Sequence, residues 1–378
     1  MIDASRENSK VSQAPYRPFG AFRFILALAV VFGHGGWLAG GTLGDLIAAS
    51  RMGSAAVLCF FVLSGFILAE AASTFYAGRW QALAINRILK IVPGFLGALI
   101  LSLIVHFSVT RLGLLDRAVA FEGINPVSAE IWTTANVGYN TLAIVPFLRP
   151  DEAWYYFGRI YLFVRYVWAI NVEVMFYVLL TITVALVPRS WAIRAIAMAI
   201  ATLGCVILAG ANLLTLDSVV FYARFAPFFL LGITIFFARR TRSPGVYLVL
   251  LVAALASLYL GFEHVGTTGG GIVFVLFLAA LVVLSRTEAF LISTRMDRRL
   301  GDLSYSLYLN HYAVLVCLSA ATPKPGIAWF IGGVFLSVVI AAAMQFIVER
   351  PLTRVRATVR GVYLGENQSP ARAVRLAE

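Results

Sequence analysis

Charged residues are scarce in this sequence. Asp, Glu, Lys and Arg make up 13% of its 378 residues, whereas a soluble domain carries about 25% charged residues. Hydrophobic residues reach 61%, and the mean hydropathy is +0.87. Because so few charges cannot cover a water-exposed surface of this size, a soluble enzyme, a disordered scaffold and a free nucleic-acid binder are excluded. The expected solvent is lipid.

Cysteine is also rare, and its placement excludes two further kinds of site. Cys59, Cys205 and Cys317 each stand alone in an apolar stretch, and no CxxC spacing occurs. Neither a disulfide framework nor a zinc site is expected, and we predict no metal in this protein.

The charge that is present is mostly positive. Lys and Arg number 30 against 18 Asp and Glu, which gives a formal net charge of +12. A basic chain can indicate a nucleic-acid partner. Here the cations are spread over many short loops, which is typical of a membrane protein whose basic residues face anionic headgroups. We therefore expect membrane lipids and no nucleic acid among its partners.

Long apolar runs follow one another along the chain. A bilayer core about 30 Å thick needs about 20 mostly apolar residues per helix. This rule predicts an all-α polytopic transmembrane helical bundle of about ten spanning helices, with a membrane domain at 20–352 between an N-terminal segment at 1–19 and a C-terminal tail at 353–378. The predicted spans are 20–40, 53–77, 91–110, 160–187, 191–212, 218–238, 246–262, 268–285, 302–321 and 327–348.

The distribution of Lys and Arg predicts the orientation of this bundle. With the N-terminus in the cytoplasm, 22 of the 30 cations fall on the cytoplasmic side and 7 on the outer side. This bias favours both termini in the cytoplasm. The apolar run at 131–148 would reverse every later span if it crossed the bilayer. We interpret it as a re-entrant or interfacial segment, which needs protein or water around its backbone.

Ionisable groups inside a span are costly, so each is a candidate functional residue. Arg23 precedes His34 by eleven residues, which on a helix places them within about 20° of one face and about 16 Å apart. Arg23 would lie at the cytoplasmic mouth and His34 within the membrane. A neutral imidazole suits a general base, although a structural histidine bonded to a carbonyl is the alternative. His106, near the outer end of its helix, is interpreted as interfacial.

Glu173 is the second such group. Tyr166, Glu173 and Tyr177 fall on one helical face, and an unpaired carboxylate there would be driven neutral by desolvation. Glu173 therefore needs a partner such as His34 or Arg224. A purely structural salt bridge to Arg224 is the alternative.

A polar stripe in a later span is the third. Ser304, Tyr308 and His311 follow one another at spacings of four and three, which keeps them on one helical face. His311 fits a second acid or base, a substrate ligand, or a polar contact between helices. The last interpretation is the first choice for Ser304.

Small and basic residues complete the set of candidates. Ser64 and Gly65 stand amid bulky residues, which allows close approach of another helix or of a slim ligand. Arg87 and Lys90, just before Pro93, add to the positive charge at the cytoplasmic face. Guanidinium groups bind phosphate well, although a positive-inside anchor explains any one of them.

Seven blocks in this order resemble the membrane acyltransferase-3 family, whose members O-acetylate sugars and related acceptors. The resemblance extends over residues 20–352. The blocks are R-x10-H at 23–34, FFVLSGF at 60–66, NRILKIVP at 86–93, WAINVEVMFY at 168–177, RFAPFFLLG at 224–232, LGDLSYSLYLNH at 300–311 and VERP at 348–351. The third block departs slightly from the family pattern, since an arginine is common near Asn86 and Arg–Ile is common where Leu89 and Lys90 stand.

The resemblance implies an O-acyltransferase of the bacterial inner membrane. Such an enzyme moves an acetyl or similar short acyl group, such as succinyl, from cytoplasmic acyl-CoA to a hydroxyl of a cell-surface or lipid-linked glycan. His34 would take the proton from the hydroxyl, and Glu173 would orient the imidazole. The remaining predicted roles are donor binding for Arg23, Arg87, Lys90 and Ser64, and acceptor or oxyanion binding for Arg224, Tyr308 and His311.

Two other functions remain open at the level of sequence. A proton-coupled transporter or flippase of a lipid-linked sugar would use His34 and Glu173 as a proton relay, but such proteins commonly show two related halves, and none is detected here. A membrane scaffold would use its buried charges only to hold helices together.

Overall fold

Helices account for all regular secondary structure in the residues that the computed structural model describes, which are 17–74, 76, 79–122, 128–146, 160–186, 217–287 and 292–362. The all-α prediction is confirmed for these ranges. In chain order the helices are α1 (Phe19–Gly35), α2 (Gly41–Ser50), α3 (Met52–Ser73), α4 (Trp80–Arg111), α5 (Leu115–Val119), α6 (Ser128–Ile131), α7 (Thr134–Leu142), α8 (Val167–Leu186), α9 (Asp217–Ala238), α10 (Pro244–Val265), α11 (Thr268–Arg286), α12 (Thr294–Ala321), α13 (Ile327–Met344) and α14 (Arg350–Val362). Single 3-10 turns occur at Gly36–Leu38 and Ala120–Glu122, and a π-helical turn at Gln345–Glu349 joins α13 to α14.

Eight helical segments of the described chain are long and apolar enough to cross a membrane, and each corresponds to one predicted span. They are Phe19–Leu38, Gly41–Ser73, Trp80–Arg111, Val167–Leu186, Phe221–Ala238, Pro244–Val265, Thr268–Arg286 and Ile327–Val359. The predicted span 191–212 and most of the predicted segments 1–19 and 353–378 lie outside the described residues. Within the described part, α14 continues the chain as a helix across the predicted boundary at 353.

The predicted span 302–321 lies in α12, which is too polar to count among those eight segments. The polar side chains in the middle of this helix face protein rather than lipid, since Ser306, Asn310 and His311 are all buried. Mean hydropathy depends on composition alone. It therefore fails to identify a membrane-spanning helix whose polar face is covered by neighbouring helices.

The helix that carries Arg23 and His34, α1, runs parallel to α12. At its start, the Asp297 carboxylate of α12 accepts hydrogen bonds from the backbone N–H groups of Gly20 at 2.9 Å and Ala21 at 2.8 Å. These N–H groups have no partner inside a helix, so the carboxylate caps α1. Further along, the Arg23 guanidinium occupies the space beside Gly301. The two helices keep this register up to His34.

Close contact between α3 and α9 depends on two glycines. A Cβ atom on Gly65 would collide with the backbone of Phe229, and one on Gly232 would collide with the backbone of Val62. Small residues of this kind let two membrane helices approach closely. The Phe229 ring, in turn, stacks on Phe176 of α8 with centroids 4.0 Å apart, which joins α8 to the same core.

The first residues of the predicted span 160–187 are not helical, because α8 begins only at Val167. Their backbone groups are instead bonded by two buried asparagines of α7. Asn136 Oδ1 accepts from the Tyr161 N–H at 2.8 Å, and Asn140 Oδ1 accepts from the Phe163 N–H at 2.9 Å. Irregular backbone is tolerated in a membrane protein where protein groups satisfy it in this way. The α7 helix lies within the predicted segment 131–148.

Large apolar side chains cover much of the outside of the bundle. On α4, Ile100 and Ile104 are each 58% exposed, and on α13 Phe335 is 69% exposed. Apolar exposure on this scale is unfavourable in water but matches a hydrocarbon solvent. The helices therefore show an integral membrane protein.

Candidate active site

Three rings from separate parts of the chain meet at the end of α1. They belong to His34 of α1, Tyr166 just before α8, and His311 of α12. The His34 ring stacks on Tyr166 with centroids 3.7 Å apart and planes inclined by 22°. The Tyr166 and His311 rings are nearly parallel at 5.1 Å and 6°. The two imidazoles lie 5.5 Å apart, so two residues that the sequence predicts separately share one site.

The hydrogen bonds of His311 fix its tautomer. Its Nδ1 atom lies 2.6 Å from the carbonyl oxygen of Tyr308, and because a carbonyl only accepts, Nδ1 carries the proton. In a neutral imidazole, Nε2 is then a bare acceptor. Among the described residues Nε2 has no hydrogen-bond partner, although it is buried.

Tyr308 holds two members of this site. Its hydroxyl donates to the backbone carbonyl of Tyr166 at 2.8 Å, while its own carbonyl accepts from His311. The predicted acceptor ligand is therefore a positioning residue for Tyr166 and His311 in this structure. Arg165, the residue before Tyr166, is close enough to His34 to act on it electrostatically.

The Glu173 carboxylate accepts hydrogen bonds from hydroxyl groups and does not bond to the ring site, which is the cluster of His34, Tyr166 and His311. Its Oε1 atom accepts from Ser64 at 2.8 Å and from the Tyr177 hydroxyl. Within the described ranges, no hydrogen bond or ion pair joins Glu173 to His34 or Arg224. The structure thus brings Glu173 together with Ser64, and it does not bring Glu173 to the imidazole that it was predicted to orient.

Arg23 is half-buried and has no ion-pair partner in the described part of the chain. Its Nε atom is buried without a hydrogen-bond partner. A buried guanidinium nitrogen without an acceptor is costly, which favours an anionic ligand at this position. Arg23 and His34 lie on one helix, eleven residues apart, so an extended molecule can contact both.

The family model for Acyl_transf_3, described as an acyltransferase domain, matches residues 19–346. The chain belongs to this acyltransferase-3 family. The predicted resemblance is confirmed, and together with the helices it shows a membrane acyltransferase. No curated protein and no solved structure matches the chain.

The other two cations predicted to bind the donor differ in their surroundings in this acyltransferase. The Arg87 guanidinium lies over the Tyr177 ring, 5.1 Å from its centroid, which keeps it close to the Glu173 group. Lys90 instead forms an ion pair with Glu349, with Nζ and Oε2 2.7 Å apart. A phosphate can therefore bind Lys90 only by sharing or replacing that carboxylate.

Arg224 makes none of the contacts that assemble the ring site in the described part of the chain. It is exposed on α9, whereas Tyr222 and Phe225 on the same helix are buried. Among the described residues, it makes no hydrogen bond or ion pair with His34, Tyr308 or His311. The geometry gives it no part in the ring site.

Sequence reasoning missed a second polar cluster. His106, which was interpreted as interfacial, is 0% exposed, so its imidazole lies inside the protein rather than on its surface. Its Nδ1 lies 2.8 Å from the Ser102 carbonyl, and its Nε2 lies 2.8 Å from the Tyr161 hydroxyl, which in turn lies 3.2 Å from that of Tyr312. These bonds tie α4 and α12 to the segment that carries Tyr166. The only sequence signal was the histidine itself, because Tyr161 lies 55 positions away.

The side chains that bind metals are scattered over the described ranges. No group of three or more His, Cys, Asp or Glu residues there could hold a metal ion. The ring site presents two imidazoles and a phenol, which suits proton transfer at a hydroxyl.

Proposed function

We propose that this membrane acyltransferase is an O-acyltransferase of the bacterial inner membrane. It moves an acetyl or similar short acyl group from cytoplasmic acyl-CoA to a hydroxyl of a cell-surface or lipid-linked glycan. The observation that carries the proposal is the placement on α1 of the Arg23 cation, which has no counter-charge among the described residues, and the His34 imidazole. An anionic carrier with a reactive end about 16 Å away fits that placement.

The donor is acyl-CoA, with acetyl-CoA as the first choice. Arg23 binds a CoA phosphate, because a guanidinium forms strong charge-assisted hydrogen bonds with phosphate oxygens. Arg87 contributes from α4 through its position over Tyr177. The pantetheine arm extends between these cations and His34, past Ser64 and Glu173, so that the thioester carbonyl reaches the imidazole.

The acceptor hydroxyl meets the thioester at the ring site. His34 is the acid–base residue of the transfer, and holding both reactants beside it converts a bimolecular reaction into an effectively unimolecular one. Tyr308 and His311 lie on the acceptor side. Both termini lie in the cytoplasm in this proposal, so the donor enters from the Arg23 end and the glycan from the His34 end.

The test uses the purified full chain in lipid nanodiscs with acetyl-CoA, and it measures release of CoA thiol. We expect His34→Ala to lower the turnover number by about 100-fold or more, the range typical of a lost acid–base group, without changing the thermal unfolding midpoint. His264→Ala, at an exposed position of α10, is the matched control and retains turnover. Full turnover in the His34 variant would remove the residue from the chemistry.

The acceptor is identified by mass spectrometry of surface glycans from cells with and without the protein. The proposal is supported if glycans from cells without the protein lack the mass of one acetyl or one succinyl group, and if mild base removes that group from the wild-type glycans as expected for an ester. The mass difference identifies the acyl group. Unchanged glycans together with an intact thioester would favour the transporter or flippase instead.

A further inference from the structure

His311 has the geometry that a general base requires. A catalytic imidazole is usually held through one ring nitrogen so that the other presents its lone pair. The Tyr308 carbonyl holds Nδ1 of His311 at 2.6 Å. The lone pair on Nε2 is buried and unpartnered within the described chain, so an O–H donor that enters the site finds a ready acceptor.

His34 lacks such an arrangement. It makes no hydrogen bond with any described residue, and Glu173, the group predicted to orient it, is bonded to Ser64 and Tyr177. His34 is also half-buried rather than buried. Its tautomer is therefore not fixed, and either ring nitrogen can donate or accept. This freedom suits a residue that returns a proton to a leaving group.

We propose that His311 is the general base of the transfer, with Nε2 receiving the proton of the acceptor hydroxyl while His34 serves the thioester. This inference rests on the proposed O-acyltransferase function and divides the acid–base work between the two imidazoles. His311 thereby changes from a predicted substrate ligand to a catalytic residue.

The step balances without any further reactant. The acceptor O–H bond breaks, its proton moves to Nε2 of His311, and the oxygen forms a bond to the thioester carbonyl carbon. The C–S bond then breaks with its electron pair on sulfur. The proton passes from the imidazolium through His34 to the thiolate, which leaves as CoA thiol, and both rings end neutral.

Three rings with titratable groups contact His311. They are His34 from α1, Tyr166 from the segment before α8, and Tyr308 from α12 itself. Arg165 acts on the neighbouring His34, and Tyr312 packs on Tyr166. Because they stay in place when His311 is exchanged, a change in the pH profile reports on His311 itself.

The experiment compares His311→Gln with the wild type in nanodiscs, using acetyl-CoA and measuring CoA thiol release across pH. Glutamine accepts a hydrogen bond but takes no proton. We expect turnover to fall by about 100- to 10,000-fold, while the KM for acetyl-CoA changes by no more than about twofold. The remaining rate should rise steadily with pH, because hydroxide must replace the base, and added imidazole should restore part of the rate in His311→Ala. His264→Gln is the matched control.

Three results would overturn the assignment. One is a His311→Gln enzyme with the wild-type rate and pH profile. Another is a loss of rate with an unchanged pH profile and no rescue by imidazole, which indicates a structural role.

The third result comes from the ring 15N spectrum of histidine-labelled protein. The protein contains 4 histidines, and the His311 signals should show a protonated Nδ1 and a bare Nε2. The opposite tautomer contradicts the proposal. This spectrum is independent of turnover, so it tests His311 even if the wild type leaves acetyl-CoA intact and the proposed function itself fails.

Discussion

Arg23 is a cation without a counter-charge in the described part of the chain, and its environment gives it a measurable role. No described residue satisfies its buried Nε, and in the proposed function a phosphate oxygen of CoA accepts this hydrogen bond. Hydrogen bonds to charged groups contribute about 1.5–3 kcal/mol. We therefore expect Arg23→Ala to raise the acetyl-CoA dissociation constant by about 10- to 100-fold, as measured by calorimetry in nanodiscs.

The control for Arg23 is another arginine, at the far end of α4. Arg111 packs over the Phe107 ring and lies in the last turn of its helix, so Arg111→Ala should leave the dissociation constant unchanged. An unaltered constant in the Arg23 variant would exclude this guanidinium from the donor site.

At the residue scale, the sequence identifies candidate functional residues better than it predicts which of them are in contact. Arg23, His34 and His311 stand out because ionisable side chains inside apolar helices are costly. Helical spacing places Glu173 on the face of Tyr177, which is where the structure has it. Spacing contains no information about the facing helix, so Ser64 as the partner of Glu173 could not be predicted. The Lys90–Glu349 ion pair could not be predicted from the sequence for the same reason.

At the element scale, the crossing of α3 and α9 sets how closely two helices approach beside the site. Gly65 leaves no room for a methyl group against the Phe229 backbone, and backbone cannot move aside as a flexible side chain can. We expect Gly65→Ala to lower the free energy of unfolding by about 1–3 kcal/mol through overpacking. Denaturant unfolding in detergent measures this change.

An exposed glycine on α13 provides the matched control for this substitution. A Cβ on Gly332 meets nothing within 4 Å, so Gly332→Ala gains helix propensity and should raise the stability by about 0.5–1 kcal/mol. A Gly65 variant that is as stable as wild type would show that the two helices separate at little cost.

The length of the apolar runs predicts most of the helices. It fails where contacts with other parts of the protein, rather than with lipid, determine the local structure. The α12 helix is polar because its neighbours cover Ser306, Asn310 and His311. The residues before α8 resemble the start of a span, yet Asn136 and Asn140 provide bonds that let this stretch stay non-helical. Both cases depend on tertiary partners, which composition does not reveal.

At the scale of the whole molecule, the orientation of the bundle is a prediction that the positive charges make and that labelling can check. Thr358 is exposed on α14, and in Thr358→Cys the new thiol should react with a membrane-impermeant maleimide only after the cells are opened. The two free cysteines of the described chain, Cys59 and Cys317, and Cys205 are first replaced by alanine. Labelling of the Thr358→Cys variant in intact cells would place the C-terminal helix outside and reverse the side from which the donor enters.

The packing of helices that are distant in sequence could not be predicted from local sequence patterns. Sequence blocks identify the family and the order of its helices, but the parallel register of α1 and α12 links residues more than 270 positions apart. That register brings His34 beside His311, and it explains why two histidines at opposite ends of the chain form one site.

The ring site also has a consequence for synthesis of the protein. His34 leaves the ribosome before Tyr166, and Tyr166 leaves it before His311. A nascent chain that has inserted its early helices holds an imidazole but neither of the rings that flank it. On the function proposed above, we expect the growing polypeptide to stay inactive until α12 has packed against α1.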